Sequence, residues 1–346
     1  MSFGQAYNPA FAGSHTLRTK GMIANMEFGN VLITGGAGFV GSQLAKRIGP
    51  LASHVYVVDD LSAGSPNAVI SSDKITFIKD SYYREEVLED VLPRVQWIFH
   101  LACRSLSLSV TDSLEDFRTN LYGAFALLEK ARARCPLLQR IVYTSTASVY
   151  GNADVRPTPE AFYQITTPYS ASKFSAEHYF DVYARMHGMP TTIVRLSNVY
   201  GPGQVASNPY CGVVAKFFEC LEKGDPFPVI GDGLQTRDFT YVDDALDAIL
   251  LAAVSPNSVG KLYNIGTGIE TTILRLAATI GSVAGRPDYP IVCAPKRSID
   301  HIQGRSVDSN RIRQELNWFP TRTLHQGLAE THSWLKQRSS GEERTP

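Results

Sequence analysis

Residues 34–41, TGGAGFVG, constrain the fold more than any other stretch of this chain. They follow the apolar, β-rich run NVLIT at 30–34 and open FVGSQLAKRI, whose apolar residues recur at helical spacing. Gly35, Gly38 and Gly41 stand in G-x-x-G-x-x-G spacing, with Gly36 as a further glycine. Glycine lets the backbone turn sharply and lets a ligand approach it closely, and the free N–H groups at a helix start face an anion. Between a strand and a helix, this spacing marks a dinucleotide pyrophosphate site; without a ligand it is a tight β–α turn. Phe39 and Val40 belong to the same turn and are expected at the cofactor.

The alternation that begins there continues. HVYVVDD (54–60), ITFIKD (75–80), VQWIFHLA (95–102), RIVYTS (140–145) and TTIVRLS (191–197) read as strands. REEVLEDVL (84–92), FRTNLYGAFALLEKARAR (117–134) and YSASKFSAEHYFDVYARMHG (169–188) read as helices, the last ended by Gly188 and Pro190. Strands separated by helices argue for a parallel sheet covered on both faces, and right-handed crossovers make it doubly wound. The expected class is therefore α/β, a doubly wound parallel Rossmann sheet with a smaller C-terminal substrate-binding lobe. The regularity weakens after about residue 198, where Pro and Gly cluster in NVYGPGQVASNPYCG, and a helix is expected at 212–223. The expected layout is a flexible N-terminal arm at 1–28 and an NAD-binding Rossmann domain at 29–197, with returns from about 238–265. A substrate lobe at 198–237 and 266–338 and a flexible tail at 339–346 complete it.

Asp59 closes the second strand, 18 positions after Gly41. A carboxylate there accepts hydrogen bonds from a ribose diol and repels a 2′-phosphate, which favours NAD over NADP. Asp60 is placed to share that role, and Asp80, ending the third strand, to reach the adenine. Each has a plainer reading as a turn or solvated carboxylate. Tyr169 and Lys173 are i and i+4, so on a helix they share a face. An unperturbed phenol has a pKa of about 10 and is a poor base at neutral pH. A nearby ammonium and a positive nicotinamide ring lower it, so Tyr169 can take a proton from a sugar hydroxyl while Lys173 holds the nicotinamide ribose. Alone, Y-x-x-x-K reads as an exposed helix face; downstream of a dinucleotide turn it reads as chemistry. Thr144, Ser145 and Thr146 fall where the fifth strand ends, and ligands of parallel α/β sheets bind beyond such ends.

Composition removes other classes. Lys+Arg and Asp+Glu both number 33, so there is no basic footprint for nucleic acid. No apolar run is long enough for a membrane span, and the leader lacks a compact apolar stretch behind basic residues. A cytoplasmic protein is expected. Cys103, Cys135, Cys211, Cys220 and Cys293 are scattered, with no C-x-x-C, and are expected to be buried thiols; no metal site is expected.

The motifs TGGAGFVGS, VVDDLSAG, HLA, TSTASVYG, YSASK, RLSNVYGPGQ, GDGLQTRDFTYVDD and YNIGTG occur in this order. Together they make the chain, over about residues 30–337, resemble the extended short-chain dehydrogenase/reductases, specifically the NAD-dependent nucleotide-sugar epimerase/dehydratase family. The resemblance implies Tyr169 as catalytic base, Lys173 as its partner and Thr146 as the hydroxyl of a triad. It implies Asn120 as an active-site neighbour and Leu101 and Ala102 along the cofactor cleft. It assigns Asn198 and Arg237 to the substrate diphosphate, Arg297 to the phosphates and Asp300 to the nucleotide ribose. Ser105, Val213 and Phe217 are expected at the substrate. It also implies a homodimer joined by a four-helix bundle from 117–134 and 169–188. Phe125, Leu128, Phe174 and Tyr179 would serve its seam or the core.

Ala147-Ser148 follow Thr146, where the family's 4,6-dehydratases usually carry Asp-Glu and its decarboxylases Ser-Glu. A positioned acid is commonly worth about 10²–10⁴-fold, so elimination lacks a proton donor here. What remains is oxidation and re-reduction at one carbon, a nucleotide-sugar 4-epimerase, with UDP-hexose the simplest substrate. The alternatives are a dehydratase, decarboxylase or 4-ketoreductase, or a non-catalytic NAD-binding sensor or scaffold. The serine-rich loop CRSLSLSVTDSLEDF borders the sugar and departs from the family pattern by about one residue.

Overall fold

The computed structural model describes residues 21, 26–69, 72–204, 212–296 and 302–340. Seven parallel strands form one sheet. They are β1 (Phe28–Thr34), β2 (Ala52–Val58), β3 (Ile75–Ile78), β4 (Trp97–His100), β5 (Arg140–Thr146), β6 (Thr191–Leu196) and, far along the chain, Lys261–Ile265. Their spatial order is Lys261–Ile265, β6, β5, β4, β1, β2, β3. The chain winds outward from β1 to β3, then crosses back to lay β4 on the other side of β1. The crevice beyond the carboxyl ends of β1 and β4 is thus the point where strand order reverses, the place where ligands of open α/β sheets sit. Central strands are buried on both faces; all of Trp97–His100 is buried, as a covered parallel sheet requires.

Two apolar clusters cover the two faces. One, containing Leu32, Ile98, Leu127, Leu128, Ala176 and Phe180, lies under the helices Gly123–Arg134 and Pro168–His187. The other starts at Val31, Ile33 and Phe99, takes in the almost wholly buried helix Val242–Val254, and runs on without a break through Phe217, Phe227, Leu276 and Ile280. These last residues belong to the C-terminal lobe, built on two-stranded pieces: Asn198–Tyr200 with Phe239–Tyr241, Phe227–Ile230 with Ile291–Ala294, and Thr236–Arg237 with Thr271–Thr272.

The helix expected over 117–134 is two segments. Phe117–Tyr122 is a π-helical turn, and the α-helix proper is Gly123–Arg134. Helix Pro168–His187 begins at a capping box, with Thr167 and Ser170 each bonding the other's backbone, and ends at left-handed Gly188. That entrance sets Tyr169 in the first turn, at the carboxyl end of the sheet. Leu128 is fully buried and Phe174 packs on a smaller apolar cluster, so both belong to the core, whereas Phe125 and Tyr179 are exposed and meet edge-on at 5.3 Å. No helix among the described residues is long and apolar enough to cross a membrane. Cys135 and Cys220 are buried as expected, Cys103 and Cys293 are exposed, and Cys211 lies outside the described residues. The N-terminal arm and the tail from 341 also lie outside them, apart from Gly21 and 26–28.

Candidate active site

A cavity of about 440 Å3 opens at the reversal point. Gly35, Gly38, Phe39, Val40 and Gly41 form one wall, Asp59 and Asp60 the second, and Leu101, Ala102 and Ser105 the third. Thr144, Thr146, Tyr169, Lys173 and Asn198 line the same space. Residues from six separated segments therefore converge on one cleft.

The glycine wall has no room for side chains. A Cβ on Gly41 would lie 2.2 Å from the Gly35 carbonyl oxygen, and one on Gly35, at φ +70°, would lie 2.6 Å from the Ala102 backbone. Asp59 Oδ2 accepts from the Ala37 amide at 3.0 Å and Oδ1 from the Leu61 amide at 2.8 Å. Burial pushes its pKa up, against those amides. The Ser62–Gly64 loop is drawn onto the turn, Ser65 N–H donating to the Ala37 carbonyl at 3.0 Å. A close-packed backbone cradle at a helix start, with a carboxylate at the end of the next strand, fits a pyrophosphate and an adenosine ribose.

At the other end, Lys173 is buried, with its ammonium 4.3 Å from the centroid of the Tyr143 ring. That ring is itself stacked on Phe180 at 4.4 Å. A cation over an aromatic face keeps some of its charge stabilised where water is excluded; even so, burial lowers the Lys173 pKa. Tyr169 differs from the expectation. Burial holds its phenol well above the ordinary value and the Cys103 thiol adds to that, while a hydrogen bond with the Thr146 hydroxyl works the other way. Desolvation penalises the phenolate more than the Thr146 hydrogen bond favours it in the chain alone. Thr146 also caps the following turn by accepting from Ser148 N–H at 3.1 Å.

Asn120 and Asp80 do not line the cleft. Asn120 sits in the π-turn, accepts from Arg104 N–H at 2.8 Å and donates to Asp116 at 2.7 Å and to Ser172 at 3.3 Å. It ties the 103–105 loop to the Tyr169 helix rather than facing the cleft; π-turns recur at such positions. Asp80 accepts from Ser81 N–H at 2.7 Å and pairs with Arg84 at 3.2 Å, a local turn carboxylate. Asn198, Val213 and Arg237 meet again at an adjoining cavity of about 200 Å3, with Lys296 and Gln303. Phe217 is in neither cavity. It is fully buried and stacks on Phe227 at 4.7 Å, because its helix turns the face of Val214, Phe217 and Phe218 to the core. Arg297 and Asp300 lie outside the described residues.

Two residues with no role in the sequence reading stand at the site. Cys103, expected to be packed, is exposed in the cleft beside Tyr169. Arg305, beside the cleft and in the lining of neither cavity, donates from Nη1 to Ser148 Oγ at 3.3 Å; burial and the charge of Arg237 lower its pKa and Tyr169 raises it. Behind the site, Glu177 and Arg195, both buried, form a two-point ion pair at 2.6 and 2.9 Å, and Ser145 donates to the same carboxylate.

A family model described as the NAD dependent epimerase/dehydratase family matches residues 31–266. The chain belongs to that family. It binds NAD, and it shares an enzyme family of epimerases, dehydratases and decarboxylases acting on nucleotide sugars. The UDP-glucose 4-epimerase of Mycolicibacterium smegmatis is 35% identical over 319 residues, covering 89% of this chain and 99% of the relative. The structure of the Thermotoga maritima UDP-glucose 4-epimerase with UDP-glucose superposes with a TM-score of 0.84 at 33% identity, covering 90% and 99% of the two chains. The dTDP-glucose 4,6-dehydratase DesIV of Streptomyces venezuelae, with NAD and TYD bound, follows at a TM-score of 0.82 and 28% identity, covering 90% and 98%. Epimerase and dehydratase members of the family are thus similarly near.

Proposed function

We propose that this family member is an NAD-dependent nucleotide-sugar 4-epimerase, with a UDP-linked hexose skeleton as substrate. The observation that carries it is the pairing of Thr146, Tyr169 and Lys173 in one cleft with Ala147-Ser148 where a proton donor for elimination would stand. Hydride exchange at C4 is the chemistry that bound NAD supplies. Tyr169 Oη takes the proton of the C4 hydroxyl and returns it when the alcohol re-forms. Thr146 holds the same oxygen by its hydroxyl. Lys173 lies on the Tyr169 side of the cleft, where its ammonium favours the phenolate and holds the nicotinamide ribose. Gly35, Gly38 and Gly41 hold the pyrophosphate, and Asp59, with Asp60 at the rim, the adenosine ribose. Asn198 and Arg237 hold the substrate diphosphate, a guanidinium fork suiting two phosphates. Ser105 borders the sugar, and Val213 the nucleotide.

The exposed aromatic pair Phe125–Tyr179, on adjacent helices, supports a homodimer through a four-helix bundle. A cytoplasmic location accompanies this reading. Incubation with UDP-sugars followed by product mass and NMR tests it: an epimer of unchanged mass is expected, whereas loss of water or of CO2 refutes epimerisation. A protein that retains NAD yet converts none of a nucleotide-sugar panel would be the sensor or scaffold instead.

A further inference from the structure

The two buried arginines, Arg195 and Arg140, each donate to several partners. Arg195 has the Glu177 carboxylate, the Tyr150 hydroxyl and the Glu160 carbonyl. Arg140 donates to Thr192 Oγ1 at 3.1 Å and to the carbonyls of Ala252 at 3.1 Å and Ser255 at 3.0 Å. Arg305 differs. It is half-buried, its one hydrogen bond among the described residues is to Ser148 Oγ, no described carboxylate pairs with it, and its Nε, like that of Arg140, is sealed from solvent without a partner. Burial lowers its pKa to about 9, the charge of Arg237 adding to this. A desolvated cation beside another cation is costly unless an anion completes it.

The backbone that presents Arg305 is fixed. Ser306 accepts from Thr158 N–H at 2.9 Å, Asp308 N–H donates to the Thr158 carbonyl at 2.9 Å, and Val307 N–H donates to the buried Asp238 carboxylate at 3.2 Å. The guanidinium is therefore held at Ser148, two residues past Thr146. Arg237, with Asn198, already stands at the adjoining cavity for the diphosphate. If C4 of the sugar lies at Tyr169 and Thr146, the groups next to it are the C3 hydroxyl and the exocyclic C6. In a hexose only C6 carries a charge, when it is oxidised to a carboxylate.

We infer that Arg305 receives a carboxylate at C6, so that the preferred substrate is a nucleoside-diphosphate hexuronate rather than a neutral hexose. The inference rests on the reading of Tyr169 and Thr146 as the C4 end of the site. A planar guanidinium meets a carboxylate with two parallel N–H donors, and the Nη1–Nη2 edge of Arg305, of which only Nη1 makes a described bond, supplies them.

The test separates recognition from turnover. The NAD-loaded Tyr169→Phe protein is titrated calorimetrically with UDP-glucuronate, UDP-glucose and UDP, and the titrations are repeated with Arg305→Met added. A charge-assisted bond is worth about 10- to 100-fold in affinity, so UDP-glucuronate is expected to bind tighter than UDP-glucose by about that factor. Arg305→Met should remove the preference. An equal loss for all three ligands would make Arg305 a diphosphate cation and overturn the inference, as would no loss for any. Arg305→Lys, which keeps the charge but not the fork, should retain part of the preference if Arg305→Met fails to fold. Wild-type enzyme with UDP-glucuronate then tests the chemistry separately. An epimer of unchanged mass supports both readings, while a pentose product with release of CO2 supports carboxylate recognition and overturns the 4-epimerase.

Discussion

The sheet half of the molecule and the C-terminal lobe hold their functional residues by different means. In the sheet half, Gly35, Asp59, Ala102, Thr146 and Tyr169 stand at the ends of strands or the first turns of helices, fixed by a seven-stranded ladder. In the lobe, Arg237 lies on a two-residue strand and Arg305 on an irregular segment pinned by Asp238 and Thr158. The first arrangement is set by backbone pairing and tolerates little. The second is set by a few side-chain bonds, so ligand preference can change there without disturbing the chemistry. Damage to the sheet half should therefore remove turnover or cofactor, and damage to the lobe should shift affinity.

The largest effect is expected from Tyr169→Phe, which should lower kcat by about 10²–10⁴-fold with NAD still bound; single-turnover kinetics and cofactor retention measure the two parts. Undiminished kcat would break the comparison at its strongest point. Glu177→Gln leaves Arg195 buried without its counter-charge, at an expected cost of about 3–5 kcal/mol in denaturant unfolding. Gly41→Ala forces a methyl group against the Gly35 carbonyl and should weaken NAD binding by about 10- to 100-fold, matching the 1–3 kcal/mol typical of overpacking. Arg237→Ala, in the lobe, should raise KM by about 10-fold or more through loss of charge-assisted bonds, with kcat less affected. A fall in kcat as deep as that of Tyr169→Phe would erase the distinction between the halves.

The smallest effect is a displacement along the pH axis. Activity is lost as pH falls through the Tyr169 pKa, because the proton-accepting form disappears. Burial raises that pKa in the chain alone, so an ultraviolet titration of cofactor-free protein should show no Tyr169 phenolate at neutral pH. A positive nicotinamide favours the phenolate, so the acid limb of kcat should fall at lower pH than that titration.

What the sequence disclosed follows the same division. Strand–helix alternation and the glycine turn report local backbone geometry, so the sheet half, the glycine wall, Asp59 and the Tyr169–Lys173 pair are legible from spacing, whereas Leu101, Ala102 and the role of Thr146 rest on the family resemblance. Asn120 was legible as a neighbour, but not as the brace of a π-turn, since helical spacing looks the same through an added residue. An apolar helix face does not say whether it turns to a ligand or to the core, so the burial of Phe217 against Phe227 is not legible in the sequence. Arg305 left no local signal. Its position depends on Thr158 and Asp238, both distant in sequence, and its chemistry on the partner it lacks.

One apolar cluster passes from the sheet through helix Val242–Val254 into the lobe without interruption. Domains that swing apart do so along a thin, polar seam, and here that seam is filled with interlocking Leu, Ile and Phe side chains. The two halves share one core, so parting them as rigid bodies would expose apolar side chains to water and is disfavoured.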